Sequence, residues 1–434
     1  MIKGMAMTDN RKSEQVYGRR GFLKSAGVVA GGAAATAAGA KLAQSAPGPD
    51  AAITELKDWN QYLGYGVDAT GYGVPSSFEE GTIRRWVPWL TASAESSVNF
   101  SPLYDLTGFV TPNGLHFERH HGGIAEIDPA EHRLMIHGMV DKELVFTMDD
   151  IKRMPSESHF YFTECAANSG MEWRGAQLNS CQFTYGMVST AQWTGVPLKW
   201  LLDYAGVKDG AKWILAEGAD ASGMTRTIPI EKARDDVLIA FAQNGEAIRP
   251  EQGYPLRLVV PGFEGNMSIK WLRRIELGDA PYMTREETSK YTDLLEDGRA
   301  RMFTWVQEAK SVITSPCPER PVNGQGMYKI EGLAWSGHGK IKRVDVSTDG
   351  GKNWQTARLH EPVLPKCMTR FEIPWDHRGG DALLVSRAMD ETGYVQPSMQ
   401  ELQNVRGVNS IYHNNAMQTW LVNPSGEVEN VRLG

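Results

Sequence analysis

The chain has 434 residues, of which 41% are hydrophobic and 22% charged, and a net charge of −7. This is globular composition, long enough for two or three domains, and its 13 Trp, 14 Tyr and 13 Phe exclude a disordered chain. The body has no basic run, so the footprint of a nucleic-acid binder is missing; an acidic body also disfavours anionic membranes and leaves room for a basic protein partner.

The N-terminal forty residues carry six basic and two acidic side chains. Arg19 and Arg20 precede Phe22, Leu23 and Lys24, then an Ala/Gly-rich run to Ala40 that is too short and weakly apolar to span a bilayer. This segment, 1–40, resembles a twin-arginine export signal, which implies a bacterial periplasm. Residues 41–115, rich in Gly, Pro and aromatics, read as an irregular arm. The Gly64-Tyr65-Gly66 and Gly71-Tyr72-Gly73 fragments lack the flanking strand and helix of a nucleotide loop.

From 116 to 310 short strands and helices alternate without a regular βαβ rhythm, which predicts an α+β domain. Residues 132–140 and 159–165 read as strands, the second ending at Cys165. Thr147 and Asp150 form a capping box for a helix that Pro155 stops. Pro197 and Gly206 bracket another helix, and Asn244-Gly245 turns a hairpin. Two more strands follow, LRLVVPG and IKWLRRIEL. From 311 to about 425, closely spaced strands with turn signals such as Asp349-Gly350-Gly351 predict an immunoglobulin-like β-sandwich, with 426–434 as a tail.

Four cysteines, Cys165, Cys181, Cys317 and Cys367, are too few for a disulfide scaffold. None lies in CxxC or CxxCH, so the chain has no zinc ribbon and no c-type haem of its own. Cys317 and Cys367 are a candidate disulfide pair whose geometry the sequence leaves open. Cys165, alone, reads either as an inert buried thiol or as a thiolate held out to a soft metal. Arg119 or Arg257 alone would read as a surface ion pair, Asp220 as a capping residue, and His120-His121 as half of a zinc site without a third ligand.

The segments FERHHGGIAEIDPAEHRL (117–134), FTECAAN (162–168), LAEGAD (215–220), YPLRLVVPG (254–262), SIKWL (268–272), VDVSTDGGKNWQ (344–355) and NVRGV (404–408) follow one another in an order and spacing that resembles the sulfite oxidase family. Within it, TPNGLHFERHH (111–121) and YGVPSSFEE (72–80) are similar to the molybdenum subunits of sulfane dehydrogenases.

The resemblance implies a molybdopterin-binding domain followed by an immunoglobulin-like dimerisation domain, with a Mo-molybdopterin cofactor and oxo transfer to sulfur. It makes Cys165 the protein ligand of molybdenum. It places His121, Asp220, Arg257, Ser268 and Lys270 on the pterin and its phosphate, and Arg119, Tyr291 and Arg406 at the substrate face. It also implies a c-type cytochrome subunit as electron acceptor, sulfur on a carrier protein as substrate, and a homodimer of this chain within a heterotetramer. Three positions depart from the family. His120 replaces an asparagine, Gln252 a cofactor histidine, and Gly170 a second substrate arginine. Gly170 is therefore expected to widen the entrance, and Gly170→Arg to favour free sulfite over the carrier.

Overall fold

A computed structural model of the chain describes residues 75–433, except 88–90, 92 and 94. The export signal and the Gly-x-Gly part of the arm lie outside the described residues. No helix among them is long and apolar enough to cross a membrane.

Two strands come from residues read as irregular. β1 (Arg85–Trp86) and β2 (Ser97–Phe100) form a three-stranded sheet with β3 (Glu118–His120). Segments of two and four residues are too short to show period-two alternation, which is why the sequence concealed them. The consequence is functional: Ser97 sits opposite His120 and Val98 opposite Arg119.

The central domain contains two sheets. β4 (Arg133–Gly138), β5 (Leu144–Thr147), β8 (Trp213–Gly218), β9 (Thr225–Pro229) and β13 (Leu272–Gly278) run in the order β5-β4-β13-β8-β9, with only β4–β13 parallel. β6 (Glu157–Glu164), β7 (Val188–Pro197), β10 (Leu238–Gln243) and β11 (Glu246–Ala247) lie in the order β11-β10-β7-β6, and β12 (Arg257–Val259) pairs with β10.

Local signals set several ends. Thr147 and Asp150 cap α1 (Met148–Arg153) reciprocally. Gly206, at φ 72°, ends α3 (Leu198–Ala205), whose Leu198, Leu201, Leu202 and Ala205 face the core; α2 (Cys181–Tyr185) precedes it. Asn244 and Gly245, at φ 50° and 79°, turn the β10–β11 hairpin. α4 (Ile230–Asp235) and α5 (Arg285–Thr288) complete the helices of this domain.

After the short hairpin β14 (Asp293–Leu294) and β15 (Ala300–Arg301), the sandwich begins. One sheet is β16 (Lys310–Ser315), β17 (Gly326–Trp335), β21 (Thr369–His377) and β20 (Arg358–Leu359), in the order β16-β17-β21-β20. The other is β18 (Ile341–Ser347), β19 (Gln355–Thr356), β22 (Ala382–Asp390), β23 (Thr419–Val422) and β24 (Val428–Val431), ordered β19-β18-β22-β23-β24. β24 occupies the expected tail: Val428 is buried against β23, so the sandwich extends past 425. α6 (Met399–Arg406) lies between β22 and β23.

The two domains share a core. Phe162, Tyr185 and Val188 of the central domain join Trp335, Ala309 and Val312 of the sandwich in one apolar cluster. All four cysteines are free. Cys317 and Cys181 share that cluster and form a thiol–thiol contact, whereas Cys367 lies against Thr190. The candidate Cys317–Cys367 pair is therefore not formed, because tertiary packing sends the two thiols to different neighbours.

Candidate active site

The end of β6 presents Cys165. The Cys165 N–H donates to the Met187 carbonyl (3.0 Å), Asn168 N–H to the Cys165 carbonyl (2.8 Å) and Gly170 N–H to the Ala167 carbonyl (2.9 Å), which closes a tight turn. A buried ion pair supports the turn from behind. Lys310 Nζ, from β16, donates to Glu164 Oε1 (2.9 Å), Ser169 Oγ (2.9 Å) and the Asn168 carbonyl (3.2 Å), and Trp335 Nε1 donates to Glu164 Oε2 (2.7 Å). Burial pushes the Cys165 thiol up, while the Ala167 N–H and the Arg119 guanidinium favour its thiolate.

Cys165 stands where two cavities meet. The inner cavity is lined by His121, Asp220, Arg257, Ser268 and Lys270 among others; the outer cavity, of about 390 Å³, opens on the other side. Arg119, His121, Cys165 and Tyr291 line both. Eight of the nine site residues read from the sequence thus converge.

Arg406 does not. Its guanidinium pairs with Asp293 (3.1 Å) and Glu308 (3.4 Å), it is buried, and it borders a separate cavity beside α6. An arginine with two carboxylate partners in hand is a structural tie, and the expected place at the substrate face is corrected accordingly.

The inner cavity carries an excess of positive charge, with Arg119, Arg257 and Lys270 in its lining against the single carboxylate of Asp220. Arg257 is buried, donates to the Gln252 carbonyl (2.9 Å) and the Ser268 carbonyl (3.1 Å), and leaves Nε without a partner. Among the described residues Lys270 Nζ donates only to the Arg119 and Glu251 carbonyls (3.0 and 2.9 Å). Burial, then Arg257, pulls its ammonium down to about 7. Two cations held by carbonyls in one cavity, Arg257 buried and Lys270 half-buried, suit an anion.

The remaining polar groups around the cavity are partly committed. His116 donates from Nδ1 to the Phe117 carbonyl (3.1 Å), so its buried Nε2 is an acceptor without a donor. Burial lowers His116 to about 3 and, with Arg119, His121 to about 4, so both imidazoles are neutral acceptors at pH 7. Asp220 accepts from Ser222 and from the Met224 N–H (3.4 Å), capping its turn while lining the cavity. Ser268 Oγ accepts from the Val260 N–H (3.0 Å), which braces the strand that carries Arg257. Gln252 Nε2 donates to the Phe117 carbonyl (2.9 Å), so the residue in the histidine position is a cavity-wall brace.

Among the described residues no three His, Cys, Asp or Glu side chains cluster as metal ligands. His120 lines the inner cavity with Nδ1 paired to Glu118 (2.9 Å), and no third ligand completes a zinc site among the described residues. For a metal at Cys165, the described residues supply no cluster of further protein ligands, which suits a metal carried by an organic cofactor.

Residues 121–286 match the oxidoreductase molybdopterin binding domain, and residues 301–420 the Mo-co oxidoreductase dimerisation domain. Over 354 residues the chain is 30% identical to the sulfite oxidase of Gallus gallus, which covers 74% of this chain and 76% of that one. The chain belongs to the sulfite oxidase family of molybdopterin oxidoreductases. Plant enzymes are similar as well. The nitrate reductase of Solanum lycopersicum is 29% identical over 409 residues, 82% of this chain, and the chain spans only 44% of that protein's length. The crystal structure of the sulfane dehydrogenase SoxCD from Paracoccus pantotrophus is similar over 89% of this chain and 100% of that chain, with a TM-score of 0.87 and 55% identity.

The family's cofactor is molybdopterin, and the cavity fits it. The cation pair matches a phosphate, the neutral His116 and His121 match pterin N–H groups, and the Cys165 thiol suits molybdenum.

The sequence reading missed His116, Tyr412, His413 and Arg174. His116 is a lone polar residue between apolar neighbours in GLHF, a signal that was available. Tyr412, whose ring packs at a tilt against Tyr291 with centroids 5.0 Å apart, has no local signature.

Proposed function

We propose that this chain is the molybdenum subunit of a periplasmic sulfane dehydrogenase, oxidising a sulfur atom presented on a carrier protein. The observation that carries this reading is its 55% identity to SoxCD over the whole of that chain. The outer cavity supports it, being far wider than a free sulfite ion needs. When bound, the molybdenum cofactor supplies an oxygen atom to sulfur and accepts two electrons.

The chain's own residues do the rest. Cys165 holds the metal through its thiolate. Arg257 and Lys270 grip the phosphate, while His121, Asp220 and Ser268 orient the pterin. Arg119 donates from Nη1 to the Ser97 and His120 carbonyls (3.1 and 2.8 Å), which fixes its guanidinium at the junction of the cavities, where it holds an anionic sulfur group. Tyr291 lines the same junction with its ring packed at a tilt against Tyr412.

Electrons pass to a c-type cytochrome subunit, and two copies of this chain pair within a heterotetramer. The twin arginines direct the folded, cofactor-loaded protein to the periplasm. A periplasmic reductase of sulfoxides would use the same cavity, and the direction of turnover separates the two. The test is molybdenum and pterin content of the purified protein, then cytochrome c reduction with a carrier-bound persulfide. Cys165→Ser is expected to abolish turnover, because a hydroxyl is a poor molybdenum ligand. Arg19→Lys with Arg20→Lys is expected to strand the precursor in the cytoplasm. Sulfoxide reduction without persulfide oxidation would overturn the reading.

A further inference from the structure

The outer cavity has an unusual charge distribution along its length. Its walls are largely apolar, formed by Val98, Phe100, Leu178, Phe183, Met187 and Ile411. No carboxylate lines it among the described residues, and burial with Arg119 keeps His121 neutral. Two arginines are its charges. Arg119 lies at the inner end, shared with the cofactor cavity; Arg174 lines the outer cavity alone.

Arg174 is exposed, on the short 3-10 helix Gly170–Arg174 that follows the Cys165 turn. Its guanidinium has no ion pair or hydrogen bond to any described residue, in contrast to Arg406 and Arg257. Met171 and Ile411, 41% and 47% exposed, line the same cavity, so this end is its mouth. The helix is also held in place. Trp173 is buried and donates from Nε1 to the Tyr412 carbonyl (3.0 Å), and the Glu172 and Trp173 carbonyls accept from Arg432. An unpaired cation on an anchored helix at the mouth of an apolar passage, with a second cation at its end, marks a route for an anion.

We propose that Arg174 is a specificity-determining residue of this channel, receiving the anionic end of a sulfur substrate at the mouth before Arg119 holds it beside the metal. This rests on the sulfur-oxidising function proposed above and deepens it. The substrate class is a sulfur anion at the tip of an apolar or peptide stem. The stem lies along the apolar walls, and the two arginines select the charge at its tip. Because Arg174 is solvent-exposed, its contribution is steering and initial capture, which salt screens; Arg119 governs the bound state.

The test uses the cofactor-loaded full chain and two probes, inorganic sulfate and hexanesulfonate, an anion with an apolar stem. Their binding is measured by calorimetry, and their competition with sulfite in a ferricyanide-coupled assay. Arg174→Gln is expected to weaken hexanesulfonate binding and raise the KM for sulfite by about two- to fivefold at low salt, a screened single-charge effect. kcat should stay unchanged and the salt dependence should flatten. Arg174→Lys should restore most of the affinity, and hexanesulfonate should bind more tightly than sulfate in every variant. If Arg174→Gln matches wild type in affinity and in salt dependence, the assignment of Arg174 is overturned while the sulfur-oxidising function stands. If wild type holds molybdenum but neither oxidises sulfite or a persulfide nor binds either probe, both are overturned.

Discussion

His413 Nε2 lies 3.1 Å from Glu264 Oε2, and this contact joins the C-terminal segment to the floor of the molybdopterin domain. The other ring nitrogen lies 3.3 Å from Asp293. Each carboxylate has a second cation: Arg226 reaches Glu264 (2.9 Å) and Arg406 reaches Asp293 (3.1 Å). Arg226 also packs over the Tyr291 ring at 5.1 Å. The His413 N–H donates to the Ala166 carbonyl (2.7 Å), one residue from Cys165. One buried chain of alternating charge therefore holds the tyrosine and the cysteine turn in register.

That chain predicts a pH-dependent stability. Burial alone would neutralise His413, but hydrogen bonds to Asp293 and Glu264 override it and raise its pKa. A raised histidine pKa contributes stability that is complete below the ordinary value of about 6.5 and is lost as pH rises through the folded value. His413→Gln is expected to cost about 3 kcal/mol at acidic pH, the penalty of breaking a buried pair, and less in alkali. Thermal melting of both proteins across pH checks this; a constant gap would contradict it.

Lys270 should make anion binding depend on pH. Burial and Arg257 pull its ammonium down to about 7. An arriving phosphate restores the charge, so binding above that pH takes up a proton and weakens as pH rises. Inorganic phosphate titrated into cofactor-free protein at several pH values is the measurement. Lys270→Met is expected to remove this pH dependence. It should also cut pterin retention about ten- to a hundredfold, the loss of one charge-assisted hydrogen bond of about 1.5–3 kcal/mol.

Gly170 answers a different question from the one its sequence position poses. A Cβ there would collide with the Ile411 carbonyl oxygen, in the segment that carries Tyr412 and His413. Gly170→Arg therefore cannot simply add a substrate arginine, and the expected gain in sulfite affinity is withdrawn. Gly170→Ala, with no charge at all, should already destabilise the fold by about 1–3 kcal/mol, as overpacking does, and lower kcat on every substrate. Equal melting temperatures for wild type and Gly170→Ala would refute the close contact.

Four thiols should react under denaturing, non-reducing conditions, since Cys317 faces Cys181 and all four cysteines are free. Two reactive thiols would show that a disulfide forms in the mature protein.

Much of this protein is legible without coordinates wherever the cause is local. The Thr147–Asp150 capping box, the Pro197 and Gly206 helix ends and the Asn244-Gly245 turn depend on neighbours within a few residues, and all form as read. The order of motifs around Cys165 likewise marks the family, because cofactor chemistry demands fixed residue types along the chain. Tertiary structure alone decided the rest. Arg406 and Arg174 are both arginines near the site, yet one is consumed by Asp293 and Glu308 while the other, at the channel mouth, has no ion pair among the described residues. Gly170 meets Ile411, and His413 meets Glu264, across separations in sequence of more than a hundred residues. Which charges are neutralised and which small residues are crowded depends on what folding brings beside them, and no local pattern carries that information.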